Sequence, residues 1–183
     1  MLFNKKIAAI ALVAATTAPA MAFAASANTI NFQGEVTTQT CAVTVNGNAA
    51  NPTVLLPTVS TASLAATGSN AGMTTFTIGV TGCTAQASAT PIKTVFVGNQ
   101  VDGNGNLGNT GTATNVALQL LDPTATSTPF NLSGATGYAA AGLNLAAGAT
   151  AATHDFAVRY YSATGNATAG SVLGSVQYAV SYQ

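Results

Sequence analysis

Charged side chains are scarce in this chain of 183 residues. Lysine, arginine, aspartate and glutamate make up 4% of it, against about 25% in ordinary soluble domains. Positive and negative residues balance to a formal net charge of zero. A chain with so few cations has no basic patch for a phosphate backbone, so we expect no nucleic-acid partner. Weak self-repulsion suits a protein whose copies stack on one another.

Histidine occurs once and tryptophan is absent, which narrows the available chemistry. The carboxylates are scattered at Glu35, Asp102, Asp122 and Asp155, so the sequence arranges no pair for acid–base catalysis. Asp155 follows the single histidine, but consecutive strand residues point to opposite faces, and no nucleophile motif such as G-x-S-x-G occurs. We therefore expect no enzyme activity, no cofactor and no metal site.

One glycine-rich loop resembles two known motifs without completing either. Gly103, Gly105 and Gly108 match G-x-G-x-x-G, but the residues that follow, NTGTATN, have no helical period for a phosphate-binding helix. Asp102 opens a run similar to a calcium loop, yet its sixth position is Leu107 rather than glycine. The pattern predicts a surface loop.

No apolar run in the chain is long enough for a membrane helix. A short apolar run, residues 7–15, follows Lys5 and Lys6 and precedes an A-x-A site that ends at Ala24. This is the pattern of a secretory signal peptide. We predict that residues 1–24 are removed, and 183 less 24 leaves 159 residues, enough for one domain. The exported chain then holds two cations against four anions, a net charge of −2.

Cysteine occurs only at positions 41 and 83. In an exported chain an even pair predicts a disulfide, and Cys41 with Cys83 is the single possible connectivity. The bond would close a loop of roughly 43 residues and restrict the unfolded chain by about 4 kcal/mol in the loop-entropy model. A metal or redox pair would need close spacing or a nearby histidine, and the sequence offers neither.

Apolar residues recur with a period of two over short stretches, and no stretch of any length has a helical period. The clearest is MTTFTIGV, in which Phe76, Ile78 and Val80 share one face. The stretches predicted as strands are residues 42–45, 53–56, 73–80, 93–97, 116–121, 130–132, 143–145, 156–161 and 176–182. Residues 60–66 fit either a short helix or an edge strand. Short strands between turn signals predict an all-β sandwich in one domain.

Both ends of the exported chain have the pattern of an edge strand. Near the front, residues 28–37 (NTINFQGEVT) place Ile30, Phe32 and Val36 at even spacing, with Gly34 in the remaining slot. At the other end, just before the terminal Gln183, apolar and aromatic residues again occur at every second position: Val176, Tyr178, Val180 and Tyr182. Each segment would present one apolar face that needs a partner surface.

In this order and spacing, the segments resemble the major-subunit pilins of chaperone–usher (type 1-like) fimbriae. The resemblance rests on INFQGEV at the front, TCAV around Cys41, STASLAATGS at 60–69, GVTGC ending at Cys83, TNVALQLLD at 114–122, and FAVRYY followed by YAVSYQ. It covers essentially the whole exported chain. It implies an immunoglobulin-like sandwich that lacks its last strand and is completed by a donor strand from a neighbouring subunit.

The resemblance also implies a role for each end. Residues 25–37 become an N-terminal donor strand, with Ile30, Phe32 and Val36 in groove pockets and Gly34 where the groove is tight, and residues 38–183 become the pilin domain. A periplasmic chaperone would dock on the edge formed by Val176, Tyr178, Val180, Tyr182 and Gln183. The implied partners are copies of the chain, that chaperone and an outer-membrane usher. The implied destination, through the periplasm, is a cell-surface fimbrium that supports cell adhesion.

Two other functions stay open at this point. A minor or adaptor pilin of the same system shares the fold and the front segment with a major subunit. A secreted β-sandwich binding module would instead be self-complete, with residues 28–37 folded back as its own last strand. The sequence alone does not separate these functions from a structural fimbrial subunit.

Overall fold

The structure is a computed structural model that describes residues 36–37, 39, 41–49 and 52–182. These residues confirm the all-β class, with strands β1 (Ala42–Val45), β2 (Ser69–Thr81), β3 (Thr90–Gly98), β4 (Ala117–Leu121), β5 (Tyr138–Leu145), β6 (Ala151–Ser162) and β7 (Val176–Tyr182). The predicted signal peptide, Ile30, Phe32, Gly34 and Gln183 lie outside the described residues. Within the described ranges, no helix is long and apolar enough to cross a membrane.

The strands form two antiparallel sheets that pack into a sandwich. One sheet has the strand order β1-β2-β6-β4 and the other has the order β5-β3-β7. The longest pairing joins β2 to β6 and places Phe76 opposite Phe156. β7 pairs with β3 along its length and is the edge strand of its sheet among the described strands. The terminal strand therefore takes the edge position that its sequence pattern predicts.

Side chains from both sheets meet in one hydrophobic core. The period of two explains which residues join the core. Phe76 and Ile78 of β2 are buried, while the alternate residues Thr75 and Thr77 face outward to varying degrees. Aromatic rings lie at the centre of the core. The Phe96 ring packs edge-on against the Phe156 ring, with 5.1 Å between the ring centroids. Such a pair stabilises by about 0.5–1.5 kcal/mol beyond its buried area.

Residues 53–56, predicted as a strand, are not a strand in the structure. Their side chains do alternate, since Val54 and Leu56 pack against the core while Leu55 is 82% exposed. A strand also needs a backbone partner, and residues 53–56 make no backbone hydrogen bond within the described part of the chain. The prediction is wrong because alternation reports which side chains are buried and does not report pairing.

β2 begins earlier than predicted, at Ser69 rather than at residue 73. Its register shifts between Ala71 and Thr74, which marks a bulge. Gly72 lies in this bulge with φ of +62°, and a Cβ there would come within 2.9 Å of the Tyr160 ring. Residues 69–72 are therefore a bulged extension of the strand, and the bulge needs glycine at position 72 for both conformation and space.

Two further stretches differ from the sequence predictions, and a third resolves an alternative that the sequence left open. β5 begins at Tyr138, whereas only residues 143–145 were predicted as a strand. The prediction started late because a run of alanines and a glycine hides the alternation of the first half. Residues 130–132 form no strand, although Phe130 is buried and its N–H donates to the Leu120 carbonyl. Residues 60–66 contain the 3-10 helix Thr61–Leu64, which decides between the two alternatives left open there.

Thr94 lies in the middle of β3 with an unsatisfied hydroxyl. The residue is 0% exposed, and its Oγ1 has no hydrogen-bond partner in the described part of the chain. Valine would keep the shape and remove a buried polar group whose desolvation costs about 1–3 kcal/mol. We expect Thr94→Val to raise the free energy of unfolding by about 1 kcal/mol, measured by urea denaturation. Thr77→Val is the matched control, because Thr77 Oγ1 donates to Asp155 at 2.6 Å. Equal losses of stability in both variants would contradict this prediction.

Candidate functional site: an open groove beside the last strand

A long cleft, here called the groove, runs beside β7. One wall is formed by residues 174–178, and the other wall is the unpaired stretch 52–56. The groove consists of two adjoining cavities of about 570 and 340 Å³. The cavities share lining residues from both walls and the floor: Pro52, Val54, Phe76, Ser175 and Val176.

The floor of the groove is the hydrophobic core itself. The larger cavity reaches Phe76, Ile78 and Phe96, and the smaller one reaches Leu118 and Leu120. Phe76 is central, because its ring lies 6.4 Å edge-on from Phe96 and still lines both cavities. None of the residues that line the two cavities is charged. An elongated, uncharged cleft of this kind fits an extended apolar segment.

β7 supplies the backbone edge of the groove. Along residues 176–181, one side of the strand pairs with β3 and the other side faces no strand of the described chain. An edge strand presents alternating N–H and C=O groups that can template another strand. The groove therefore combines an apolar floor with a hydrogen-bonding edge, which are the two requirements for adding a strand.

The residues predicted for this edge lie along the groove and beyond it. Val176 lines both cavities and Tyr178 lines the larger one. Val180 and Tyr182 are partly buried against the core further along β7. Among the predicted donor residues only Val36 is described, and its side chain is fully exposed. The structure thus places the four described edge residues on one strand, Gln183 lies outside the described residues, and the role of this edge in binding a chaperone stays a prediction.

The residues that directly follow the front segment (residues 28–37) are fixed to the sandwich. The predicted disulfide between Cys41 and Cys83 is confirmed, with 4.5 Å between the Cα atoms. Beside it, Gln39 is 5% exposed: its Nε2 donates to the Thr84 carbonyl at 3.0 Å, and its Oε1 accepts from Gln86 Nε2 at 3.1 Å. Sequence analysis missed Gln39, because a glutamine among threonines carries no pattern.

The glycine-rich loop closes on itself through Asp102. One carboxylate oxygen of Asp102 accepts the N–H groups of Asn104 and Asn106 at 2.8 and 2.9 Å, and the other accepts from the Asn106 side chain at 2.9 Å. Both oxygens are therefore engaged by the loop's own donors. In the described ranges no three candidate ligands group together as a metal site would require.

The single histidine faces a different carboxylate from its sequence neighbour. His154 Nε2 lies 3.5 Å from Asp122 Oδ2, which is an electrostatic contact rather than a hydrogen bond. Asp155 points to the other face, where it accepts from Thr77. Hydrogen bonds from Thr124 hold the pKa of Asp122 below its usual value. The hydrogen bonds from Thr124 to Asp122 stabilise a turn beside the histidine.

Comparison with known proteins identifies the family. The model of the fimbrial protein family matches residues 30–183. The F17 fimbrial protein of Escherichia coli is 41% identical over 169 residues, covering 84% of this chain and 86% of the relative. The major fimbrial subunit SMF-1 of Stenotrophomonas maltophilia is 38% identical over 171 residues, covering 90% and 97%. The crystal structure of the P pilus rod subunit PapA superposes with a TM-score of 0.56 at 15% identity, covering 78% of this chain and 99% of that one.

The chain therefore belongs to the fimbrial protein family. It is a structural subunit of a chaperone–usher fimbria, with the incomplete immunoglobulin-like sandwich of a pilin. As such a subunit it associates with other subunits in a fimbrium at the cell surface. The family is a structural one and not a class of enzymes. The resemblance found from the sequence motifs is confirmed.

The disulfide should contribute a large share of the stability of the subunit. It joins residues 42 positions apart, and opening a loop of that size costs about 4 kcal/mol in the loop-entropy model. We expect the double variant Cys41→Ala, Cys83→Ala to lose that amount of free energy of unfolding in a urea titration. Wild-type protein under reducing conditions is the control and should match the variant. An unchanged unfolding midpoint in both would contradict the prediction.

Proposed function

We propose that this subunit polymerises by donor-strand exchange, in which residues 25–37 of one copy (the arm) enter the groove of the next. The observation that supports the proposal most directly is the groove itself: an uncharged cleft whose floor is the hydrophobic core and whose edge is the outer side of β7. A monomer with such a cleft exposes apolar surface and an unpaired edge, both of which favour aggregation. A donor strand removes both hazards at once.

The dimensions of the arm match those of β7. The arm's apolar row runs from Ile30 to Val36, six residue steps, or about 20 Å in extended form. The row on β7 runs from Val176 to Tyr182, which is also six steps. An arm in register with β7 would therefore supply one apolar side chain, or Gly34, for each residue of the row on β7.

The energy of this joint is large for a single strand. Burying Ile30, Phe32 and Val36 contributes roughly 1.5–3 kcal/mol each, on the order of 5–9 kcal/mol together. Main-chain hydrogen bonds to β7 add to this, at about 0.5–1.5 kcal/mol net for each bond. Such a joint is durable rather than transient, which suits a fibre exposed outside the cell.

The second wall of the groove gains a partner in the same event. Residues 53–56 have the alternation of a strand but no backbone partner in the described chain. An arm that lies between β7 and residues 53–56 can pair with both, and the stretch predicted as a strand would then become one. The mismatch between sequence pattern and structure at this wall supports the proposal.

Before assembly, another strand must cover the groove. We propose that a periplasmic chaperone does so during export, and that an outer-membrane usher is where the arm of the next subunit replaces it. The proposed docking edge is Val176, Tyr178, Val180, Tyr182 and Gln183. A minor or adaptor pilin shares this geometry, and counting copies of the chain per fimbria separates that function from a major subunit.

Peptide capture tests the proposal directly. The chain from Glu35 onward, oxidised and refolded, is unfolded with and without a synthetic peptide of residues 27–38. At a peptide concentration about 100 times the Kd, binding should add about 2.7 kcal/mol to the free energy of unfolding. A peptide with leucine for Gly34 should add much less, because its side chain has no space in the groove.

The same experiment distinguishes the self-complete alternative. If the truncated chain is a stable monomer and neither peptide changes its unfolding midpoint, the sandwich is complete without a donor. The secreted binding module would then replace the fimbrial mechanism proposed here. Full-length chain that carries Gly34→Leu and still forms long surface fibres would also count against a tight glycine position.

Two neighbouring residues of the second wall provide a matched pair of variants. Val54 faces the groove, whereas the adjacent Leu55 is 82% exposed on the other side. We expect Val54→Asp to weaken capture of the 27–38 peptide by at least roughly tenfold, because the bound arm would bury the new charge. Leu55→Asp should bind as wild type does. Isothermal calorimetry measures both, and equal affinities would show that the arm does not contact this wall.

A further inference from the structure

A third cavity continues the groove beyond the start of β7. It has a volume of about 320 Å³ and lies between residues 58–61 and residues 167–172. These stretches are the direct continuations of the two groove walls, residues 52–56 and 174–178. The floor advances in the same direction, from Leu118 and Val158 under the groove to Val116 and Tyr160 under the third cavity.

The third cavity differs from the groove in chemistry. Hydroxyl groups are numerous on its rim, which includes Thr58, Ser60, Thr61, Thr168 and Ser171. Its floor is still apolar, and no residue that lines it is charged. The wall at residues 171–175 is not a strand, so a ladder of backbone hydrogen bonds cannot continue into this cavity as it does along β7. The cavity therefore suits a short polar, uncharged segment.

Chain direction determines what reaches this cavity. All the described strand pairings are antiparallel. An arm antiparallel to β7 begins beside Tyr182 and brings Val36 beside Val176, the end of the strand nearest the third cavity. The residues that follow Val36 in the donor copy then leave the groove directly over the cavity.

Those residues are the collar, defined here as residues 38–41 (TQTC). Five residue steps separate Val36 from Cys41, at most about 18 Å of extended chain. The donor's body holds the collar tightly, through the buried Gln39 side chain and through the disulfide of Cys41 with Cys83. A short, tied collar forces the donor's body to lie close to the acceptor at this point.

We propose that the third cavity is the docking site for the collar of the next subunit, a second interface that supplements the groove. The proposal rests on the donor-strand exchange proposed above. Both surfaces are neutral, and the hydroxyl groups of Thr38 and Thr40 in the collar match the hydroxyl-lined rim, while Gln39 anchors the collar to the donor's own body. The arm provides the main affinity, and the collar contact restrains the angle between successive subunits and slows the release of the arm.

Exposed rim residues allow the cavity to be blocked without disturbing the core. Ala169 and Thr58 are exposed and lie on opposite walls, so Ala169→Arg and Thr58→Arg are two independent variants. Ala135→Arg is the matched control, because Ala135 is exposed and lines neither the groove nor the third cavity. Fibres are sheared from cells that produce each full-length chain, and their dissociation in SDS is followed over time at a fixed temperature.

We expect fibres of either cavity variant to dissociate roughly tenfold faster than wild-type fibres, since losing an interface contact acts mainly on the off-rate. Ala135→Arg fibres should match wild type. In parallel, purified subunits of every variant should bind the 27–38 peptide as wild type does, because this peptide includes only the first residue of the collar.

Each other result has a definite meaning. Cavity variants whose fibres are as durable as wild type, with peptide capture intact, overturn the collar site and leave donor-strand exchange standing. Wild-type subunit that fails to bind the peptide overturns donor-strand exchange, and the collar site falls with it. Cavity variants that lose peptide binding show that the rim supports the groove itself, which also overturns a separate collar interface.

Discussion

The unpaired side of β7 is the constraint on which the rest of the structure depends. Backbone groups need hydrogen-bond partners, and apolar side chains need cover, yet along residues 176–181 the described chain supplies β7 with a partner on one side only. The remaining elements compensate. The long pairing of β2 with β6, the aromatic contacts around Phe96 and the disulfide keep the open sandwich folded while its edge stays available.

The low charge of the chain also favours the filling of the groove by another strand. A groove without charged lining residues can accept an apolar strand without desolvating an ion, which would cost several kcal/mol. Few charges elsewhere keep repulsion between successive subunits small. Both properties lead to joints whose strength depends on buried area and on backbone hydrogen bonds. Joints of this kind depend little on the salt concentration of the surroundings, because screening acts on charges.

Sequence pattern predicts the half-buried strands well and the loops and edges less well. β2, β6 and β7 carry bulky residues at every second position, so their period is visible. In β5, Tyr138 is followed by alanines and a glycine, which are compatible with burial on either face, so the first half of this strand carries no visible period. The second wall of the groove could not be found from sequence, because Val54 and Val176 line the same groove only after segments distant in the chain have come together.

Residues 53–56 show why the remaining mismatch is informative. Their pattern is that of a strand, their side chains occupy the positions of one, and the described chain offers their backbone no partner. In a self-complete fold, local pattern and global pairing agree, since natural sequences are selected for that agreement. A local pattern without a partner in the described chain is therefore what the donor-strand exchange proposed above would explain. In that proposal the stretch opposite β7 is one half of a joint, and the front segment of another copy, with its matching period of two, is the other half.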